Sequence, residues 1–84
     1  MAERRRGLNP VEAVVKELGG VYEAARRAET TPTTMYRAQK EGHIRAALPC
    51  LLLARAVIEH RHGEDAEKPD EELTLALRLA GALK

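Results

Sequence analysis

Residues 21–40 read VYEAARRAETTPTTMYRAQK, and this stretch decides the fold. In its first part Val21, Ala24, Ala25 and Ala28 recur at helical spacing while Arg26 and Arg27 fall outside, which predicts a short helix from Val21 to about Ala28. Side chains this small let a second helix approach closely. Glu29, Thr30, Thr31 and Pro32 break the pattern, and Thr31 suits an N-cap with Pro32 at the first helical position. The next helix is predicted to run to about Glu41, burying Met35 and Ala38, exposing Thr33, Thr34, Arg37, Gln39 and Lys40, with Gly42 past its end. Counted from Val21, Ala25 is the small fifth residue where the two helices touch, and Ala24, Ala28, Met35 and Ala38 take the buried positions. This is the pattern of a helix-turn-helix, with the outer face of its second helix free.

Working outward, Asn9, Pro10 and Glu12 form a helix start, with Asn9 as N-cap. Val11, Val14, Val15 and Leu18 share one face of that helix, and Gly19 and Gly20 stop it. Residues 1–8, including Arg4, Arg5 and Arg6, lack periodicity and read as a flexible basic tail. Downstream, Pro49 disfavours helical backbone at Leu48, so a fourth helix is expected from near Pro49 to about His62, with a preceding turn over Ile44 to Leu48 left open and with Leu52, Leu53, Ala56, Val57 and Cys50 at helical spacing. Gly63 to Pro69 is an acidic connection. A last helix is expected from about Asp70 to Leu83, although Leu73, Leu75, Leu77 and Leu79 alternate as a strand would; the abundance of Ala, Leu and Glu decides for helix. The expected architecture is all-α with four or five helices, divided into the tail 1–8, a helix-turn-helix domain 9–62 and a linker with a Leu-rich helix 63–84.

Eighty-four residues suffice for one core, and with no Trp or Phe that core is built from small aliphatic side chains. Such a core is thin, so a partner subunit is the expected support. The single Cys50 lies in an apolar run and reads as a buried thiol, in keeping with a reducing compartment. No apolar run is long enough to span a bilayer and Met1 to Gly7 does not resemble a signal peptide, so a cytoplasmic location without membrane partners is expected. Net charge is only +1, but residues 1–45 carry nine Lys or Arg against six Glu, while 46–84 carry five against seven Asp or Glu. His60 and His62 point roughly 200° apart on a helix and no Cys or His pair has zinc-finger spacing, so no metal is expected. Without a phosphate loop, a nucleophile elbow or paired carboxylates in a likely cleft, neither enzymatic activity nor a cofactor is expected.

Gly19-Gly20, VYEAARRA at 21–28, TTPTTMYR at 30–37 and the step from Lys40 through Gly42 to Ile44 resemble the Cro/repressor-like (XRE-type) helix-turn-helix family over roughly residues 10–62. More weakly, the later part is similar to the cII-type phage transcriptional activators. The resemblance implies a lambda-repressor/Cro-like fold and a sequence-specific transcriptional regulator of the phage, plasmid or mobile-element type, repressor or activator. It also implies a dimer or higher oligomer on double-stranded DNA, with RNA polymerase as a further candidate partner. It places Thr31, Pro32, Thr33, Tyr36 and Arg37 on the groove-facing surface. The chemistry is compatible: Arg37 can donate two hydrogen bonds to guanine, Thr33 can bond a groove edge or touch a thymine methyl, and Tyr36 can reach a base or a phosphate. Arg26, Arg27, Lys40 and Arg4–Arg6 suit phosphate contacts. Two positions depart from the family: Glu29 stands where the turn ordinarily has Gly, implying a different turn or mild strain, and Ala38 replaces a larger residue.

In the last helix Leu73, Leu77 and Ala80 form one stripe and Leu75, Leu79, Ala82 and Leu83 another, so a single docking surface leaves apolar area uncovered. Leu73, Leu75, Leu77, Leu79 and Leu83 are therefore candidates for oligomerisation. Two other readings fit the same features: a protein-interaction module such as an antitoxin or polymerase-binding factor, and an architectural DNA binder without sequence preference.

Overall fold

In the computed structural model, which describes residues 9–63 and 69–81, the chain folds into five helices: α1 Pro10–Leu18, α2 Val21–Arg27, α3 Pro32–Glu41, α4 Ala47–His62 and α5 Pro69–Leu79. No strand occurs among the described residues, and none of their helices is long and apolar enough to cross a membrane. The tail with Arg4, Arg5 and Arg6, and Leu83, lie outside the described residues.

Asn9 starts α1 through a complete capping box. Its side chain accepts from the Glu12 N–H at 2.8 Å, and the Glu12 carboxylate accepts from the Asn9 N–H at 3.1 Å. The predicted stripe Val11, Val14, Val15 and Leu18 is buried throughout. Gly19 ends the helix in the left-handed region, where the Gly20 N–H reaches back to the Val15 carbonyl at 2.9 Å.

The central helix is α4, which buries Cys50, Leu53, Ala54, Ala56, Val57 and Ile58 and packs against α1, α2 and α5. It begins at Ala47, two residues before Pro49, where the sequence had placed its start. Proline is tolerated there because a third helical residue has no intrahelical N–H acceptor, and the carbonyl its ring would strike, four residues back at Arg45, lies outside the helix. Cys50 is buried as expected. Its thiol donates to the Ala76 carbonyl at 3.1 Å, and burial raises its pKa.

The alternating leucines of 73–79 form helix α5, whose end is marked by Gly81 in the left-handed region. Of the residues proposed for oligomerisation, Leu79 is fully buried in this chain's own core and half-buried Leu75 packs beside it. Helical rotation sends these two inward and leaves Leu73 and Leu77 outside, so Leu79 drops out of any docking face and Leu75 contributes chiefly to the core. Two side-chain ties fix the remaining geometry. Arg61 on α4 donates to both Glu17 oxygens on α1 at 2.8 and 2.9 Å, a bond that holds the Glu17 carboxyl below its ordinary pKa and raises that of Arg61. His62 meets Glu71 at 2.9 Å across the α4–α5 junction.

Candidate nucleic-acid interface

The turn between α2 and α3 is where the sequence departed from its resemblance, and the structure shows how the departure is absorbed. Glu29 adopts φ 57°, the left-handed conformation that glycine would take there. Around it the Glu29 N–H bonds the Arg26 carbonyl at 3.2 Å and the Thr30 N–H bonds the Ala25 carbonyl at 2.9 Å, the paired bonds of a Schellman ending. The turn is therefore not a different one. It is the expected turn with a strained residue in it, at a local cost of about 1 kcal/mol.

Thr31 then caps α3. Its hydroxyl accepts from the Thr34 N–H at 3.1 Å and donates to the Thr34 hydroxyl at 3.0 Å, so its hydrogen-bonding capacity is engaged in starting the helix. Pro32 follows, half-buried, as the first helical residue. With Met35 and Ala38 buried, the opposite face presents Thr33, Tyr36, Arg37 and Lys40, which recur at i, i+3, i+4 and i+7 and are all exposed. Thr33, Tyr36 and Arg37 thus come together with Lys40, while Thr31 and Pro32 stand at the edge and serve the helix start.

The C-terminal end of α3 is held by α1. The Asn9 amide, whose oxygen caps α1, donates from its nitrogen to the Gln39 carbonyl at 2.7 Å. Beyond Gly42, the Ile44 N–H bonds the Leu79 carbonyl of α5 at 2.7 Å. One side chain and one backbone bond therefore set the pose of α3 and of the loop after it. Asn9 was legible as a cap, but its second bond joins residues thirty apart and has no local signature.

Charge is distributed unevenly over the arginines. Arg26 pairs with Glu23, Arg27 lies 3.5 Å from Glu59 and so ties α2 to α4, and Arg45 pairs with Glu41 at 3.2 Å. Arg55 pairs with Glu59 at 3.3 Å. Of the phosphate candidates on α2, Arg27 therefore serves a tie between helices, and Arg26 keeps an exposed side chain beside Glu23. Among the described residues Arg37 and Lys40 have no carboxylate within ion-pair distance, and the one acid on α3, Glu41, is paired at the helix end. Comparison of the chain with protein-family models, curated proteins and solved structures finds no match in any of the three.

Tyr22 is the most exposed large hydrophobic side chain among the described residues, at 72 %. The signal was present in the helical spacing: Tyr22 and Arg26, four apart, lie away from the buried Ala24 and Ala25. Beside α3 a cleft of about 150 Å³ is lined by Arg37, Ala38, Ile44 and Pro49 among others, so the Arg37 stem borders apolar surface. Among the described residues no three metal-ligating side chains converge.

Proposed function

We propose that this chain is a sequence-specific DNA-binding transcriptional regulator that acts as a dimer, with α3 entering the major groove. The observation that carries this reading is the outer face of α3, where a guanidinium and an ammonium without an ion-pair partner among the described residues share one exposed stripe with a phenol and a hydroxyl, on a helix capped at its start and tied to Asn9 near its end. A stripe of this composition combines base-edge donors with phosphate contacts, which is the division of labour a reading helix needs. Arg37 is assigned to bidentate contact with guanine, Thr33 and Tyr36 to neighbouring groove positions, and Lys40 with Arg26 and the Arg4–Arg6 tail to phosphates. Asn9 supports the last assignment, because its bond to Gln39 sets residue 9, which follows the Arg4–Arg6 segment in sequence, beside the C-terminal end of α3. An operator of two half-sites about one helical turn apart is expected for a dimer.

Selection of bound sites from a random duplex pool tests the reading. A recovered site should bind at least about a thousandfold more tightly than random duplex at physiological salt. Equal affinity for both would leave only a non-specific binder, and no affinity for either would remove DNA from the account.

A further inference from the structure

We infer that a second copy of this chain docks on a leucine face shared by α4 and α5. This deepens the dimer named above by assigning its surface. It rests on that reading only for its consequence at DNA, and its test uses no DNA.

The face is built by two antiparallel helices. Their order follows from Cys50 meeting Ala76 and His62 meeting Glu71. Leu48 and Leu51, one turn apart on α4, are 61 % and 52 % exposed, and Leu73 and Leu77, one turn apart on α5, are 56 % and 39 % exposed. Leu51, half-buried Leu52 and Leu73 line one groove between the helices, closed at its rim by Arg55 and Glu72. The α5 stripe alone was legible in the sequence; half of the surface comes from α4.

Size, charge and the rest of the chain select the occupant. The uncovered parts of these leucines amount to roughly 400 Å² of apolar surface, and two such patches supply the apolar centre of an interface of standard size. The rim is self-complementary. Arg55 stands on the α4 side and Glu72 on the α5 side, so a two-fold axis parallel to the helices sets Arg55 of the partner subunit opposite Glu72 and lays each α4 against the other copy's α5. The result is a four-helix contact with apolar stripes inside. Outside the described residues this chain carries only Met1, Leu8 and Leu83 as large apolar side chains, too few to cover the face. A lipid surface calls for a basic rim, whereas α5 opens with Asp70, Glu71 and Glu72.

Sedimentation equilibrium of the full chain from micromolar to millimolar concentration tests the assignment. A monomer–dimer equilibrium is expected. Leu51→Glu with Leu73→Glu should raise its dissociation constant about a hundredfold, since the exchange buries unpaired carboxylates at the contact. Both positions are more than half exposed, so far-UV circular dichroism of the monomer should stay unchanged. Arg55→Glu alone should weaken the dimer, and Arg55→Glu combined with Glu72→Arg should restore it. A chain that is monomeric at every concentration, a dimer indifferent to the two glutamates, or a monomer that instead co-sediments with phosphatidylcholine vesicles would each overturn the proposal.

Discussion

The outer face of α3 and the outer face of α4 with α5 are equally open to water and opposite in chemistry. The first is a polar stripe of Thr33, Tyr36, Arg37 and Lys40; the second is a stripe of Leu48, Leu51, Leu73 and Leu77. Folding explains neither of them, because the core is already complete behind each: Met35 and Ala38 serve it from α3, Leu53 and Val57 from α4, Ala76 and Leu79 from α5. Exposed Arg and Lys need no partner to be soluble, whereas four large apolar side chains grouped in water are a standing cost. The difference suggests two separate tasks, contact with a polyanion on one side and with protein on the other.

Arg37→Ala should break the comparison on the α3 side most strongly. Specific affinity is expected to fall by about 1–3 kcal/mol with preference relaxed at one base pair, measured by competition between the selected site and its single-base variants. Lys40→Ala should instead weaken all sequences alike and flatten the salt dependence by about one phosphate contact. Sedimentation of either variant without DNA should match the parent, because neither side chain belongs to the leucine face. Equal loss on every sequence with Arg37→Ala would reassign it to the backbone of the nucleic acid.

Next in size is Asn9→Asp, which separates the pose of α3 from its chemistry. The carboxylate keeps the cap on the Glu12 N–H but can no longer donate to the Gln39 carbonyl, and two oxygens are left facing each other. A loss of about 1–2 kcal/mol in urea unfolding is expected, with amide exchange quickened at Gly42 and His43. Asn9→Ala, which removes the cap as well, should cost more. Dimerisation on the leucine face should survive both. An Asn9→Asp variant as stable as the parent would show that the bond to Gln39 does not hold α3.

How much of this was legible depended on how local the cause was. The caps at Asn9 and Thr31, the stripe of α1 and the buried pair of α3 are set by neighbours within one turn, and each stands where the residues said. The start of α4 was misplaced because a proline was weighed as a breaker when its position in the first turn made it harmless. The division of the α5 leucines depends on where α4 lies, which spacing within α5 alone does not contain. Arg27 looked like a free cation for the same reason: Glu59, its partner, is 32 residues away. Of the two outcomes that Glu29 allowed, a different turn or mild strain, the second is found, since the neighbouring hydrogen bonds hold a residue other than Gly in a glycine conformation. Glu29→Gly should therefore stabilise the chain by about 0.5–1 kcal/mol, the relief at positive φ exceeding the added freedom of the unfolded chain. Thermal unfolding should shift upward by several degrees, and a lower midpoint would mean that the Glu29 side chain contributes a contact of its own.

The smallest effect belongs to Glu17 and Arg61, the tie that joins the helix bracing α3 to the helix carrying Leu48 and Leu51. Both side chains are partly exposed, so Glu17→Gln should lower stability at neutral pH by less than about 1 kcal/mol. The sign of its pH dependence is fixed by the Glu17 carboxyl, whose pKa in the folded chain lies below the unfolded value of 4.5 because Arg61 bonds the ionised form. Above the unfolded pKa the contribution is fully present, and it is lost as pH falls through the depressed folded value. The parent and Glu17→Gln should therefore differ in chemical denaturation at pH 7 and converge in acid. Convergence sharpens the contrast between the two faces, because an acid-labile tie that shifts overall stability while leaving both DNA preference and the dimer constant intact belongs to the scaffold between them. A pH-independent difference would mean that packing of the Glu17 stem, and not its charge, joins α1 to α4.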